Sequence, residues 1–169
     1  GLCAPYSTPM KTTSFGFGEL ILDALEKGRK EIFLLLGGSG TNDGGAGMAV
    51  ALGAEFYKDG MPFLPLGGDL SSIEKMDLSS LKRRVEGRRF AVLLDVANPL
   101  LGANGASRVC APQKGASVEE VEQLEEGLRH LASLIESDLG IGIANIPGAG
   151  AAGGMGGGCL AFFDASMES

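Results

Sequence analysis

The sequence has no tryptophan, two tyrosines and a single histidine, His130. One histidine excludes a multi-histidine metal centre and leaves no base for a Ser/His/Asp triad. His130 has no motif around it and reads as a half-exposed helix residue. Cys3, Cys110 and Cys159 are odd in number and far apart in the chain. That suits neither a disulfide framework nor a structural zinc site and points to a reducing compartment. None of the three has an activating partner nearby in sequence, so nothing argues for a thiol nucleophile. No apolar run reaches about 18 residues and no signal peptide opens the chain, which leads to the expectation of a cytoplasmic protein with no membrane partner. Positive charge is scarce as well: 14 Lys and Arg against 21 Asp and Glu give a net charge of −7. Nucleic acid is a poor partner for such a surface, and an anionic ligand would need local donors and a metal.

Glycine is what the chain has in abundance, 28 of 169 residues. The glycines cluster at 37–47 and 148–158 rather than recurring with a period, so they speak of shaped loops, not of collagen or disorder. A hydrophobic content of 44% with 21% charged residues suits one compact α/β domain over 1–169, burying about 70% of its unfolded surface. The first residue is Gly rather than Met, and the chain reads as an excised piece of a longer sequence.

The organising stretch runs from Ile32 to Met48. Ile32-Phe33-Leu34-Leu35-Leu36 predicts a strand buried on both faces. The Gly37–Gly47 segment that follows mixes glycine with Ser39, Thr41, Asn42 and Asp43, then leads into a helix through about Leu52. Strand, glycine turn, helix is how α/β enzymes present backbone N–H groups to an anion. The turn lacks Gly-Lys-Ser/Thr and does not fit Gly-x-Gly-x-x-Gly, so neither a Walker loop nor a dinucleotide fingerprint is present. Its plainer reading is a tight turn with Asn42 or Asp43 capping the helix.

Elsewhere, Leu20, Ile21, Ala24 and Leu25 form the stripe of a helix starting at Ser14 and ending at Gly28. Lys58-Asp59-Gly60 marks a hairpin between Ala54–Tyr57 and Met61–Leu64. Residues 65–80 read as loop with one helical turn. Phe90–Leu94 is a second buried strand, ending at Asp95. A short helix lies between the turns Gly102–Gly105 and Pro112–Gly115. Ser117 and Glu120 form a capping box for a long helix over 118–138, striped by Val118, Val121, Leu124, Leu128, Leu131 and Ile135. Gly148–Gly158 is either a second anion cradle or a place of close packing, and it runs into an apolar helix ending near Phe163.

Two strands thus deliver aspartates, Asp43 and Asp95, to loops at their C-terminal ends, where open α/β sheets bind ligands. With Lys114 they make an acid/acid/cation set of the kind phosphoryl transfer uses. Asp95 read plainly caps its own loop, and Lys114 read plainly is a surface lysine.

Taken together, Thr12–Leu20, Gly37–Met48, Asp95–Gly102, Gly105-Ala106-Ser107, Pro112–Ala116 and Pro147–Gly154 resemble the bacterial type I glycerate kinase family, in its order and across nearly the whole chain. The resemblance implies transfer of the ATP γ-phosphoryl group to a hydroxyl of D-glycerate, with ATP and Mg²⁺ as cofactors. It implies a layered sheet with flanking helices, as one domain of a two-domain protein whose site lies in the cleft between domains. This chain resembles the central portion only, and the companion domain with its Ser-Phe-Lys-Gly motif is missing from it. The catalytic expectations are Asp43, Asp95 and Lys114, with Asp43 or Asp95 on Mg²⁺. Gly38, Ser39, Thr41, Asn42, Gly44, Asn98, Gln113, Gly148 and Gly150 are expected to shape the substrate or phosphate pocket. Departures from the family pattern are Gly40 for Ala, Ala97 for a polar residue and Cys110 for an aromatic. A rival of a different class is a non-catalytic module that binds an organic acid or nucleotide. A third reading, a nicotinamide-dependent oxidoreductase, is disfavoured because no acidic residue ends a second strand about 20 residues after the turn.

Overall fold

A computed structural model describes residues 8–168. In chain order it contains α1 (Phe15–Glu26), β1 (Glu31–Leu35), α2 (Ala46–Ala51), β2 (Glu55–Lys58), β3 (Met61–Phe63), β4 (Lys75–Asp77), α3 (Ser79–Val85), β5 (Arg89–Leu93), α4 (Ala106–Cys110), α5 (Val118–Leu139), α6 (Ala151–Phe163) and β6 (Ser166–Glu168). Cys3 lies outside the described residues.

The strands form two small sheets. In one, β1, β5 and β6 run parallel in that order. In the other, β2 sits between β3 and β4, antiparallel to both. The β2–β3 hairpin turns on Asp59 (φ 52°) and Gly60 (φ 72°), and two successive positive φ values make the primed turn whose twist matches the strands.

Because β1 and β5 are parallel neighbours in register, Leu35 opposite Leu93, both chains emerge at one sheet edge. Gly37 and Asp95 therefore leave the sheet side by side, as the two strand-end loops required. The expectation that β1 is buried on both faces is corrected: Leu34 is buried, but Phe33 and Leu35 are 52% and 71% exposed. Among the described residues β1 is an edge strand, and only one face of its pleat is covered. Since side chains alternate across a strand, every second residue is left in solvent.

The core lies on the covered face. Phe162 meets Phe56 edge-on with ring centroids 6.4 Å apart, and Phe163 stacks on Phe90 at 4.7 Å. The Cys159–Phe163 segment is thus core, and burial pushes the Cys159 thiol up, leaving it unreactive. α5 starts on the anticipated box: Ser117 Oγ accepts from Glu120 N at 3.2 Å, and Glu120 Oε2 accepts from Ser117 N at 2.8 Å. Its stripe is buried from Val121 to Ile135, while Val118 in the first turn is exposed. On α1, Ile21 and Leu25 face inward and Leu20 faces out.

Residues 65–80 hold more structure than expected: a 3-10 turn at Gly67–Ser72, then β4 and the start of α3. β6 also escapes a sequence reading. Both strands are three residues long and neither has a buried residue, so no period-2 pattern can develop.

The two glycine-rich segments meet face to face. Gly44 N donates to Gly153 O at 3.1 Å. A Cβ on Gly158 would run into the Gly44 carbonyl, and one on Gly154 would approach Gly44 Cα at 3.0 Å. The first turn of α6 is interrupted by three residues in left-handed geometry, Ala152 (φ 52°), Gly153 (φ 70°) and Gly154 (φ 92°). Glycine takes this conformation without penalty, whereas Ala152 bears a cost of about 1–2 kcal/mol.

Candidate active site

The sheet edge carries a hollow of about 210 Å³. One wall is Gly37, Gly38 and Ser39, from the turn after β1. A second is Asp95, Val96 and Asn98, from the turn after β5. Cys110, Gln113 and Lys114 form the third, and Gly150–Ala152 at the start of α6 the fourth. A more apolar hollow of about 240 Å³ lies on the other side of Gly37 and Ser39, lined by Phe17, Leu35, Thr41 and Met155 among others. Ala152, the strained residue, belongs to both.

Asp95 is exposed in this mouth, and Lys114 is not the surface lysine its residue type suggests. It is 8% exposed, and its Nζ donates to the Thr41 carbonyl at 2.8 Å. The 3-10 turn Pro112–Lys114 holds it in place, starting at proline and closed by Gly115 at φ 95°. Burying an ammonium is costly unless it is hydrogen-bonded, and the Thr41 carbonyl supplies one such bond.

Asp43 is placed differently. It is fully buried and lines neither hollow. Its Oδ2 accepts from Ser14 N (2.7 Å), Ser14 Oγ (2.8 Å) and Gly47 N (3.2 Å), and its Oδ1 from Gly45 N (3.1 Å). Ser14 Oγ in turn accepts from Met48 N at 2.9 Å. The carboxylate caps α2 and ties it to the start of α1, which is the capping alternative. Asp43 and Asp95 therefore do not share a mouth at the level of their side chains.

The remaining expected residues divide likewise. Gly38, Ser39, Asn98, Gln113 and Gly150 line the hollow. Thr41 lines its neighbour, and its hydroxyl donates to Ser39 Oγ at 3.4 Å. Asn98 also braces its own turn, its amide donating to Asn104 O at 2.9 Å. Asn42, Gly44 and Gly148 are buried outside both hollows. A Cβ on Gly44 would strike Leu131, and one on Gly148 would strike Leu94, so these two glycines serve close packing. Within 148–158, Gly150 lines the hollow, while Gly148, Gly153, Gly154 and Gly158 pack closely against neighbouring atoms, the close-packing alternative. Cys110 and Ala152 were missed as lining residues. Neither residue type signals a site, and a left-handed alanine has no sequence signature.

His130 is a helix residue, as expected, with Nε2 2.6 Å from Ile73 O. Among the described residues no group of three His, Cys, Asp or Glu side chains could hold a metal, and no helix is long and apolar enough to cross a membrane.

Burial pushes the Asp43 carboxyl above its ordinary value, while the donors from Ser14, Gly45 and Gly47 pull back against it. A raised folded value makes its contribution to stability complete below the unfolded value of 3.8 and lost as pH rises through the folded one. Asp43→Asn removes that titration and leaves an NH₂ facing backbone N–H donors, for a loss of about 1–3 kcal/mol. The deficit of the variant against wild type should be larger at pH 4.5 than at pH 7 in urea unfolding. A deficit that grows toward neutrality would mean that the donors, not burial, dominate.

The glycerate kinase family model matches residues 2–169. The chain belongs to the glycerate kinase family. A glycerate kinase of Halalkalibacterium halodurans is 46% identical over 160 residues, covering 94% of this chain and 42% of that protein. Glycerate 2-kinase of Escherichia coli K12 is 47% identical over 162 residues, covering 95% and 42%. A solved structure from Salmonella typhimurium LT2, assigned as a glycerate kinase 2, superposes with a TM-score of 0.93 at 44% identity, over 98% of this chain and 45% of that one. The chain thus spans less than half the length of these glycerate kinase relatives, and the mixed α/β arrangement of parallel and antiparallel sheets is shared with a family member.

Proposed function

We propose that this chain forms the central part of an ATP-dependent glycerate kinase, supplying Asp95 and Lys114 to a site completed by further sequence. The observation that carries this reading is the pairing of an exposed strand-end carboxylate with a buried lysine in one glycine-walled hollow. Asp95 accepts the proton of the attacking D-glycerate hydroxyl. The hydroxyl oxygen bonds to the γ-phosphorus as the bond to the bridging oxygen breaks, and ADP leaves. Lys114 offsets the charge on the moving phosphoryl group, and backbone N–H groups of the Gly37–Ser39 turn orient it.

Asp43 serves this site from behind, fixing the loop that carries Ser39 and Thr41. Asp95, the exposed carboxylate of the hollow, would hold the Mg²⁺ that accompanies ATP. Bound there, Mg²⁺ would neutralise β- and γ-phosphate charge.

A hollow of about 210 Å³ is smaller than the roughly 300–1,000 Å³ usual for ligand sites, so ATP and glycerate need further walls. Thr12 Oγ1 donates to Gly40 O at 3.0 Å, and Leu94 N donates to Glu168 O at 3.1 Å. These bonds hold Thr12 beside the turn after β1 and Glu168 beside the end of β5. The same incompleteness supports the second reading, that the 169-residue chain alone binds nucleotide or organic acid without turning it over. An ADP-coupled assay with D-glycerate, run on the chain and on its full-length parent, tests both. Glycerate-dependent ADP release by the parent is the expected result. Its absence, with nucleotide binding retained, favours the module.

A further inference from the structure

Lys114 is held by a closed circuit that begins and ends on adjacent residues. The side-chain amide of Asn42 donates to Ser107 Oγ at 3.0 Å, and both residues are fully buried. The Ser107 carbonyl accepts from Ala111 N at 3.0 Å, and the Ala111 carbonyl accepts from Lys114 N at 3.0 Å. Lys114 Nζ then returns to the Thr41 carbonyl at 2.8 Å, the residue before Asn42. α4 and the Pro112–Lys114 turn thus work as one rigid arm. One end is pinned to the glycine loop by Ser107, and the other end presents Lys114 and Gln113 to the hollow.

The tie is kept at a cost. Among the described residues Asn42 Oδ1 is buried without a hydrogen-bond partner, so Asn42 is not placed to satisfy its own polar groups. Its amide–hydroxyl bond joins segments 65 residues apart in sequence and fixes where the arm starts. A shift of the arm's root is carried to its tip by the backbone hydrogen bonds between them, and phosphoryl-transfer sites are sensitive to misplacement of about 1 Å.

We propose that Ser107 is a positioning residue for the lysine of the phosphoryl-transfer site, acting through Lys114. This rests on the kinase reading above. The test is a double-mutant cycle in the full-length protein with Ser107→Ala and Lys114→Met, read as kcat and KM with D-glycerate and ATP. Ser107→Ala should lower kcat about 10-fold with little change in the KM for glycerate, because the anchor sets geometry rather than binding. In the Lys114→Met background the same change should have no further effect on kcat, since there is no ammonium left to place. Ser107→Cys keeps a weaker acceptor of similar size and should recover part of the turnover. It also carries the cycle if the alanine variant does not fold. Equal losses from Ser107 substitution with and without Lys114 would overturn the proposal, as would a fall in Tm with kcat unchanged. If the wild-type protein phosphorylates no glycerate, the kinase reading fails separately, and the cycle is read on ADP affinity with the same two outcomes.

Discussion

Replacing Gly153 by alanine is expected to cost this protein about 3–4 kcal/mol and to lower Tm by about 10 °C. Two independent terms add. At φ 70° an alanine bears about 1–2 kcal/mol of left-handed strain. The new Cβ would also run into the Thr41 carbonyl oxygen and press on Asn42 Cα. Those are main-chain atoms, and neither can rotate away. Thr41 O is moreover the group on which Lys114 rests, and Gly153 O accepts from Gly44 N at 3.1 Å. The clash would therefore push the two glycine segments apart where they wall the site. Gly28→Ala separates the two terms, because Gly28 has φ 77° with nothing within 4 Å of the would-be Cβ. That variant should lose only the strain term, about 1–2 kcal/mol. Equal losses for the two substitutions, in parallel thermal melts, would show that the segments do not touch as described.

Asp95→Asn is expected to lower kcat in the full-length protein by about 10²–10⁴-fold, the usual worth of a placed proton acceptor. Asp95 is exposed and, among the described residues, is not part of the hydrophobic core, so Tm should move by no more than the scatter of a surface substitution. Asp43→Asn should behave in the opposite sense, with a clear stability loss and a kcat effect no larger than misplacement of the loop explains. Magnesium separates the two jobs an exposed carboxylate can do. If Asp95 chiefly anchors the ion, raising Mg²⁺ should restore much of the lost turnover. If it accepts the proton, kcat stays low at any Mg²⁺ concentration. Near-wild-type turnover of Asp95→Asn would remove it from the chemistry altogether.

The contrast between the two aspartates marks where sequence reasoning runs out. Both follow apolar strands, and both sit in loops rich in glycine and asparagine. Nothing in one dimension separates a carboxylate that faces solvent from one enclosed by four donors. Asp95 comes directly off β5 and stays at the sheet edge. Asp43 lies farther along its loop, where the chain has already turned back to start α2, and so it meets Ser14, just before α1, instead. Lys114 errs in the other direction: lysine is nearly always a surface residue, and only the packing of α4 against the glycine loop explains why this one is buried.

What this sequence determined by itself is local. Short apolar runs made β1 and β5, the Asp59-Gly60 pair made the hairpin, the Ser117/Glu120 box started α5, and the glycine clusters announced loops with special backbone geometry. Each of these follows from the conformational preferences of a few neighbouring residues. Only the tertiary structure decided that one face of β1 stays open, that β6 adds a third strand, that Gly153 must be glycine, and which aspartate reaches the hollow. Those outcomes depend on groups 29 to more than 100 residues apart, brought together by packing that no local pattern encodes.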